Sequence, residues 1–366
     1  MAKTRHYYPG GNTCLGFFSF YDYIVTPDVI RKIILKGGPG TGKSIFMKKI
    51  GEYFLEKGHD IEYHWCSSDN HSLDGVVIGN NKVAIIDGTN PHIVDPRYPG
   101  AVDEIINLGQ FWNQPLIKEN RDNIIQLTNR ISRCFRRAYI RLQEAGSAYT
   151  EWKTYFEQAR QETAVNRNIK AFTQEFLQGS QESLSKPRHL FAGAITPQGA
   201  VTRADSLISS DYTLFAVKGS PGSGIKDLFN YALQQIKVLN INVEVLHNPF
   251  YPEEIDIILL PETRSAMIDI SSTVVDYASV LPSRKYKRLL DFDQLIDKPF
   301  TDSHAKLVFL ARDRFQSGIN DAVTFIQKAK SLHDELESYY IPAMDFSQID
   351  NVREEICNQI TEDLSK

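Results

Sequence analysis

Two stretches of this chain spell nearly the same nine letters, KGGPGTGKS at 36–44 and KGSPGSGIK at 218–226, and they lie 182 positions apart. The same offset, with no gap, carries Glu62 onto Glu244, Asp74 onto Asp256 and Asp87 onto Asp269. Upstream, TRHYYPGG at 4–11 is echoed by PRHLFAGA at 187–194, so each half begins at an Arg-His pair. Downstream, at a slightly larger offset, Ile131, Phe135, Ala138, Leu142 and Ala145 meet Phe315, Ile319, Ala322, Ile326 and Ala329. Those positions follow the alternating spacing of the apolar stripe on an amphipathic helix. Tyr155 and Phe156 then meet Tyr339 and Tyr340. A period this long excludes a solenoid. The chain reads as a tandem duplication with halves 1–183 and 184–366, a boundary near 183–187, and packing as a pseudo-dimer.

Within each half the elements come in one order. RKIILK at 31–36 is a short apolar strand, 43–57 a helix stopped by Gly58, and IEYHW at 61–65 a second strand, with VVI at 76–78 and VAIID at 83–87 as two more. Strand, glycine-rich turn, helix, strand is the grammar of an α/β fold with a parallel sheet flanked by helices. From 102 to about 178 the periodicity is helical almost throughout, with breaks at Gln114-Pro115 and Ala145-Gly146. Each half is therefore expected to be a compact α/β core with an appended helical hairpin. The aromatics of LGFFSFYDYIV alternate as in a half-buried strand, which predicts core rather than a base-stacking surface.

GGPGTGKS satisfies G-x-x-x-x-G-K-[ST] in full, through Gly37, Gly38, Pro39, Gly40, Thr41, Gly42, Lys43 and Ser44. Glycines let backbone N–H groups converge on phosphates, and the following helix presents its positive end. The pattern assigns Lys43 to the β/γ-phosphates and Ser44 to magnesium. Asp87, closing the VAIID strand, is the second expected magnesium partner. Gly88 stands where many such enzymes carry a glutamate base, so the base is sought in Asp69 of CSSDN and His92 of GTNPH. Thr89 and Asn90 are further candidates for phosphate or water contact, with turn formation the competing role for all four. Asp74 and Glu104 rank below them. An N-K-x-D signature is missing, since NKVA at 81–84 lacks the aspartate, so ATP rather than a guanine nucleotide is expected.

In the second half Ile225 stands in place of the lysine and Lys226 in place of the serine. A step of one residue turns a helical side chain by about 100°, so Lys226 is not expected to reach the same phosphate. The second half is thus predicted to be a degenerate copy with a structural or regulatory role.

The 366 residues suit two domains of ordinary size. A formal net charge of -4 gives no global attraction to nucleic acid or anionic membrane, so nucleic-acid binding would need a local patch, for which Arg130, Arg133, Arg137 and Arg141 are the candidates. A solvated face with local carboxylate partners is the competing reading of that stripe. No apolar leader or spanning run is evident, which predicts a cytoplasmic protein without membrane association. Cys14, Cys66, Cys134 and Cys357 lack metal or disulfide spacing and are expected to be reduced, mostly buried thiols.

Taken together, KGGPGTGKS, CSSDNHSLDGVVI, IIDGTNPHIVDPRYPGAVDEIINLG and RHLFAGAITPQG resemble a family of uncharacterised bacterial tandem P-loop proteins described as ATPase-like or nucleotide-kinase-like. The resemblance covers nearly the full length and implies nucleotide binding by residues 37–44. Such proteins carry a P-loop in each half, and this chain departs from that in the second. The expected activity is that of a Mg-dependent ATPase with one competent site. A small-molecule or nucleotide kinase and a nucleotide-gated adaptor are the alternatives, with a second small-molecule substrate or a protein as partner.

Overall fold

The computed structural model describes residues 2–26, 28–183, 186–282 and 285–365; Leu184 and Ser185, at the expected repeat boundary, and Lys366 lie outside them. The first repeat supplies strands β1 (Thr4–Tyr7), β2 (Gly10–Thr13), β3 (Gly16–Ser19) and β4 (Arg31–Lys36), helix α1 (Lys43–Glu56), and strands β5 (Ile61–Trp65), β6 (Leu73–Ile78), β7 (Val83–Asp87) and β8 (Asp103–Asn107). Helices α2 (Gln114–Glu119), α3 (Arg121–Ala159) and α4 (Glu162–Phe176) follow. The second repeat gives β9 (Arg188–Phe191), β10 (Gly193–Thr196), β11 (Gly199–Thr202), β12 (Thr213–Lys218), α5 (Ile225–Val238), β13 (Glu244–His247), β14 (Ile255–Leu260), β15 (Ser265–Asp269) and β16 (Arg288–Asp291). Helices α6 (Lys298–Ser303), α7 (Ala305–Tyr340) and α8 (Phe346–Ser365) complete it.

Two six-stranded sheets result, ordered β1-β5-β6-β7-β4-β8 and β9-β13-β14-β15-β12-β16, so the repeat in sequence is a repeat in topology. Even cross-strand partners recur: Arg5 faces Glu62, and Arg188 faces Glu244. The sheets are mixed rather than purely parallel. Strands β4, β7 and β8 run parallel, but β6 is antiparallel to both β5 and β7. The connection 66–72 between β5 and β6 is too short for the crossover that a parallel neighbour requires.

The two compact units do not coincide with the two sequence repeats. One consists of Met1–Gly10, Ser19–Arg137 and Thr324–Lys366; the other of Gly11–Phe18 and Ala138–Val323. Each sequence half therefore gives its terminal helices to the other's sheet. In the first unit α8 lays Ile349, Ile356 and Ile360 against Phe46, Ile50 and Phe54 of α1, while Leu127 and Cys134 of α3 pack with Ala329, Leu332 and Leu336 of α7. In the second unit α4 buries Val165, Ile169, Phe172 and Phe176 against Leu228, Phe229 and Ile236 of α5. The expected appended hairpins exist as helices, but they cover the partner sheet rather than their own.

Three further readings are corrected. The stretch 103–107, read as the start of helical sequence, is the edge strand β8. Helix α3 passes unbroken through Ala145-Gly146; a Cβ at Gly146 would stand 3.2 Å from Cys14 Cβ, so this glycine permits a close approach instead of ending the helix. The strand read across LGFFSFYDYIV stops at Ser19, and Tyr21–Tyr23 form a 3-10 turn. All four cysteines are free thiols, three of them buried. Among the described residues, no helix is long and apolar enough to cross a membrane.

Candidate functional site

Strand β4 is an apolar strand with Ile33, Ile34 and Leu35 fully buried, so its carboxyl end is a rigid launching point for the loop 37–42. Gly42, at the helix N-cap, has φ 84°, a left-handed conformation that a side chain disfavours. Thr41 Oγ1 donates to Gly38 O at 2.8 Å and pins the loop internally.

Lys43, the first residue of α1, folds back over this loop. Its Nζ donates to Gly37 O at 3.2 Å and Gly38 O at 3.0 Å, and lies 3.7 Å from Asp87 Oδ2. Asp87 is there because β7 pairs in parallel with β4, Leu35 opposite Asp87, which puts the carboxylate beside the loop. Its Oδ1 accepts the Thr89 N–H at 2.9 Å and the Thr89 hydroxyl at 2.6 Å. Ser44 Oγ accepts the Leu73 N–H at 3.0 Å, tying α1 to the start of β6. Lys43 and Asp87 are thus brought side by side, while the Ser44 hydroxyl is engaged by the backbone of β6.

The four proposed base and sensor residues separate. Thr89 is committed to Asp87. Asn90 is exposed. Asp69 is a turn former: its Oδ1 accepts the His71 N–H at 2.9 Å, its Oδ2 accepts the Ser72 hydroxyl at 2.8 Å, and Lys330 Nζ lies 3.3 Å from Oδ2. Burial pushes that carboxyl up, but these donors outweigh it and hold it below the usual carboxylate range. His92 is placed otherwise. Its side chain is largely buried, its ring stacks on Tyr21 with centroids 4.3 Å apart, and its Nε2 lies 3.6 Å from Asp74 Oδ2.

Asp74, ranked low in the sequence, is a buried carboxylate on β6 facing this group. Burial raises it above the usual range, opposed by His92 and reinforced by Asp87. Tyr21 is raised well above its usual value by the same burial and by Asp74. Glu104 is instead engaged by Arg31, at the opposite end of β4 from the loop.

Sequence reading missed several contributors. Tyr21, expected in the core, packs against Ile34 and Ile86 there and also stacks on His92, a contact that the sequence reading lacked. Lys36 clamps the chain after β7, donating to Gly88 O and Val94 O, both at 2.8 Å; its recurrence as Lys218 was the available signal. A Cβ at Gly88 would lie 2.4 Å from Ile34 Cγ2, so any side chain there would have to displace β4 packing. Glu337 of α7 meets the loop from the far end of the chain, and only its tertiary placement reveals it.

In the second unit the corresponding loop is differently held. Ile225 packs against the apolar core, and Lys226 Nζ lies 5.9 Å from the Tyr251 ring centroid. Asp293 accepts the Ser220 N–H at 2.8 Å and the Ser220 hydroxyl at 3.1 Å. Its counterpart in the first unit is Gly109: Asn107 Oδ1 accepts the Gly109 N–H just as Asp291 Oδ1 accepts the Asp293 N–H. Asp269 accepts Ser271 as Asp87 accepts Thr89, with Ile225 at the position that Lys43 holds in the first unit.

Of the arginine stripe, Arg130, Arg133 and Arg137 are exposed, and Arg137 sits over the Phe325 ring at 6.0 Å. Arg141 is held by Glu144 at 2.6 Å and Asp321 at 3.9 Å, as a solvated face with local partners predicts. No protein family, curated protein or solved structure matches the chain.

Proposed function

We propose that the first unit is a P-loop domain that binds ATP with magnesium and transfers the terminal phosphoryl group to water. The observation that carries this reading is the meeting of Lys43 and Asp87 over a glycine-rich loop that opens a helix, with Ser44 the next residue of that helix. The residues fit the ligand chemically: the loop supplies amide donors, Lys43 a mobile cation held by two carbonyls, and Asp87 a carboxylate oxygen facing it. Ser44 and Asp87 would hold the magnesium ion, which neutralises phosphate charge when bound.

A second reading is transfer to a small-molecule hydroxyl. It is favoured by Gly88, where a glutamate base would clash with Ile34, and by His92, backed by Asp74 and stacked on Tyr21. In either case the acceptor oxygen bonds to phosphorus, the bond to the leaving diphosphate breaks, and His92 takes the acceptor's proton.

Calorimetry with a non-hydrolysable ATP analogue and magnesium tests the common core. Lys43→Ala should weaken binding by at least about tenfold, since it removes a charge-assisted contact; equal affinity in the variant rejects the reading. Product analysis then separates the two acceptors, because free phosphate marks water and a phosphorylated metabolite marks a kinase.

A further inference from the structure

Amide N–H groups in a glycine-rich loop that opens a helix are oriented to meet an anion. At Gly40 of the first unit the protein supplies one itself. Glu337, one turn before the end of α7, accepts the Gly40 N–H at its Oε1, 3.2 Å away. The helix is pressed close: a Cβ at Gly40 would lie 3.2 Å from Glu337 O, 3.3 Å from Tyr340 Cβ and 3.1 Å from Ile341 Cγ1. Tyr340 and Trp112 close over Gly38, their rings 6.2 Å apart. Two turns upstream, Lys330 ties the same helix to Asp69. His333 Nδ1 lies 3.8 Å from Glu337 Oε1.

We propose that Glu337 acts as an internal phosphate mimic, holding the nucleotide site in a self-occupied state from which an incoming nucleotide must displace it. The proposal rests on the nucleotide reading above. A carboxylate and a phosphate oxygen compete for one N–H, and two like charges in contact raise each other's energy. Nucleotide therefore binds only the fraction of molecules in which Glu337 has let go, and the apparent affinity falls by that fraction. Displacement frees segment 330–341 from the loop. The corresponding position against Gly222 in the second unit is Lys153, whose Nζ is engaged by Glu254 and Glu157. A glutamate at this helix position thus belongs to the first loop, whereas in the second unit the carboxylate on a loop amide is that of Asp293, from the turn after β16.

The test compares the full-length wild type with Glu337→Ala and Glu337→Gln, using the same ATP analogue with magnesium. Glu337→Ala should bind roughly tenfold tighter, the release of a self-competing state. Glu337→Gln should fall between, because its amide oxygen still accepts the N–H without the charge. In the wild type the analogue should speed hydrogen exchange across 330–341. Binding by Glu337→Ala where the wild type shows none supports the latch most directly. If both glutamate variants bind no tighter than wild type while Lys43→Ala still loses binding, the latch is wrong and the nucleotide site stands. If neither wild type nor the glutamate variants bind, both fall together. Should Glu337→Ala fail to fold, the shape-preserving Glu337→Gln carries the same comparison.

Discussion

At residue scale, the charge that distinguishes the two units is the lysine. In the first, Lys43 lies beside Asp87; in the second, Ile225 offers nothing to Asp269. Burial pushes Asp269 up to about 6, and burial with the Asp269 charge pushes Asp256 up to about 8. Asn248 and Tyr277 donate to Asp256, and Glu254 adds further negative charge. Both native values exceed that of an unfolded aspartate, ~3.9. The native state therefore binds more protons between those limits, so this contribution to stability is full below about pH 4 and is lost as pH rises through 6 and 8. Asp256→Asn should accordingly melt a few degrees higher than wild type at alkaline pH, with the gain vanishing in acid. Thermal melts across that range check the sign; a variant destabilised equally at every pH would refute it. Lys43, Ser44 and Asp87 were legible in the sequence because strand, loop and helix fix them locally. Asp74 and Tyr21 were not, since their roles arise from burial beside His92, which a periodicity cannot report.

At element scale, the short strand β8 escaped notice because Glu104 and Ile105 sit on an exposed edge and lack the uniform apolar run of β4. The loop 219–224 was legible as a copy, yet its departure from the first loop was only half visible. Beyond the missing lysine and serine, Asp293 puts a carboxylate on the loop where the first unit has Gly109. That substitution stood in plain view in NLGQF against DFDQL, but its meaning depends on the 3-10 turn that carries it to Ser220. Ile225→Lys with Lys226→Ser is therefore expected to leave nucleotide binding undetectable, because the cradle still carries a negative charge. Adding Asp293→Gly should let binding appear, measurable with Lys43→Ala in the background to silence the first loop. Binding by the double exchange alone would show that Asp293 is irrelevant.

At the scale of the whole molecule, duplication was readable from the 182-residue offset, whereas the exchange of helices was not. An amphipathic stripe tells which face is buried but not against which partner. The exchange makes a strong prediction about cutting the chain. Fragment 1–183 leaves Phe172 and Phe176 without α5 and strips Ile349, Ile356 and Ile360 from α1. Each such side chain contributes about 1.5–3 kcal/mol on burial, against a typical domain stability of about 5–15 kcal/mol. Neither 1–183 nor 184–366 should fold alone, while the two coexpressed should recover a stable complex. Circular dichroism and size-exclusion chromatography decide this; a cooperatively melting monomer of either fragment would contradict it.

The same exchange bears on how such a chain can change over generations. A copy whose loop has decayed would ordinarily be free to drift or be deleted. Here the second copy's last helix packs on the helix that follows the first copy's loop, so losing the second half would strip the first half's core. Inheritance of the pair is locked by architecture, whatever either loop binds.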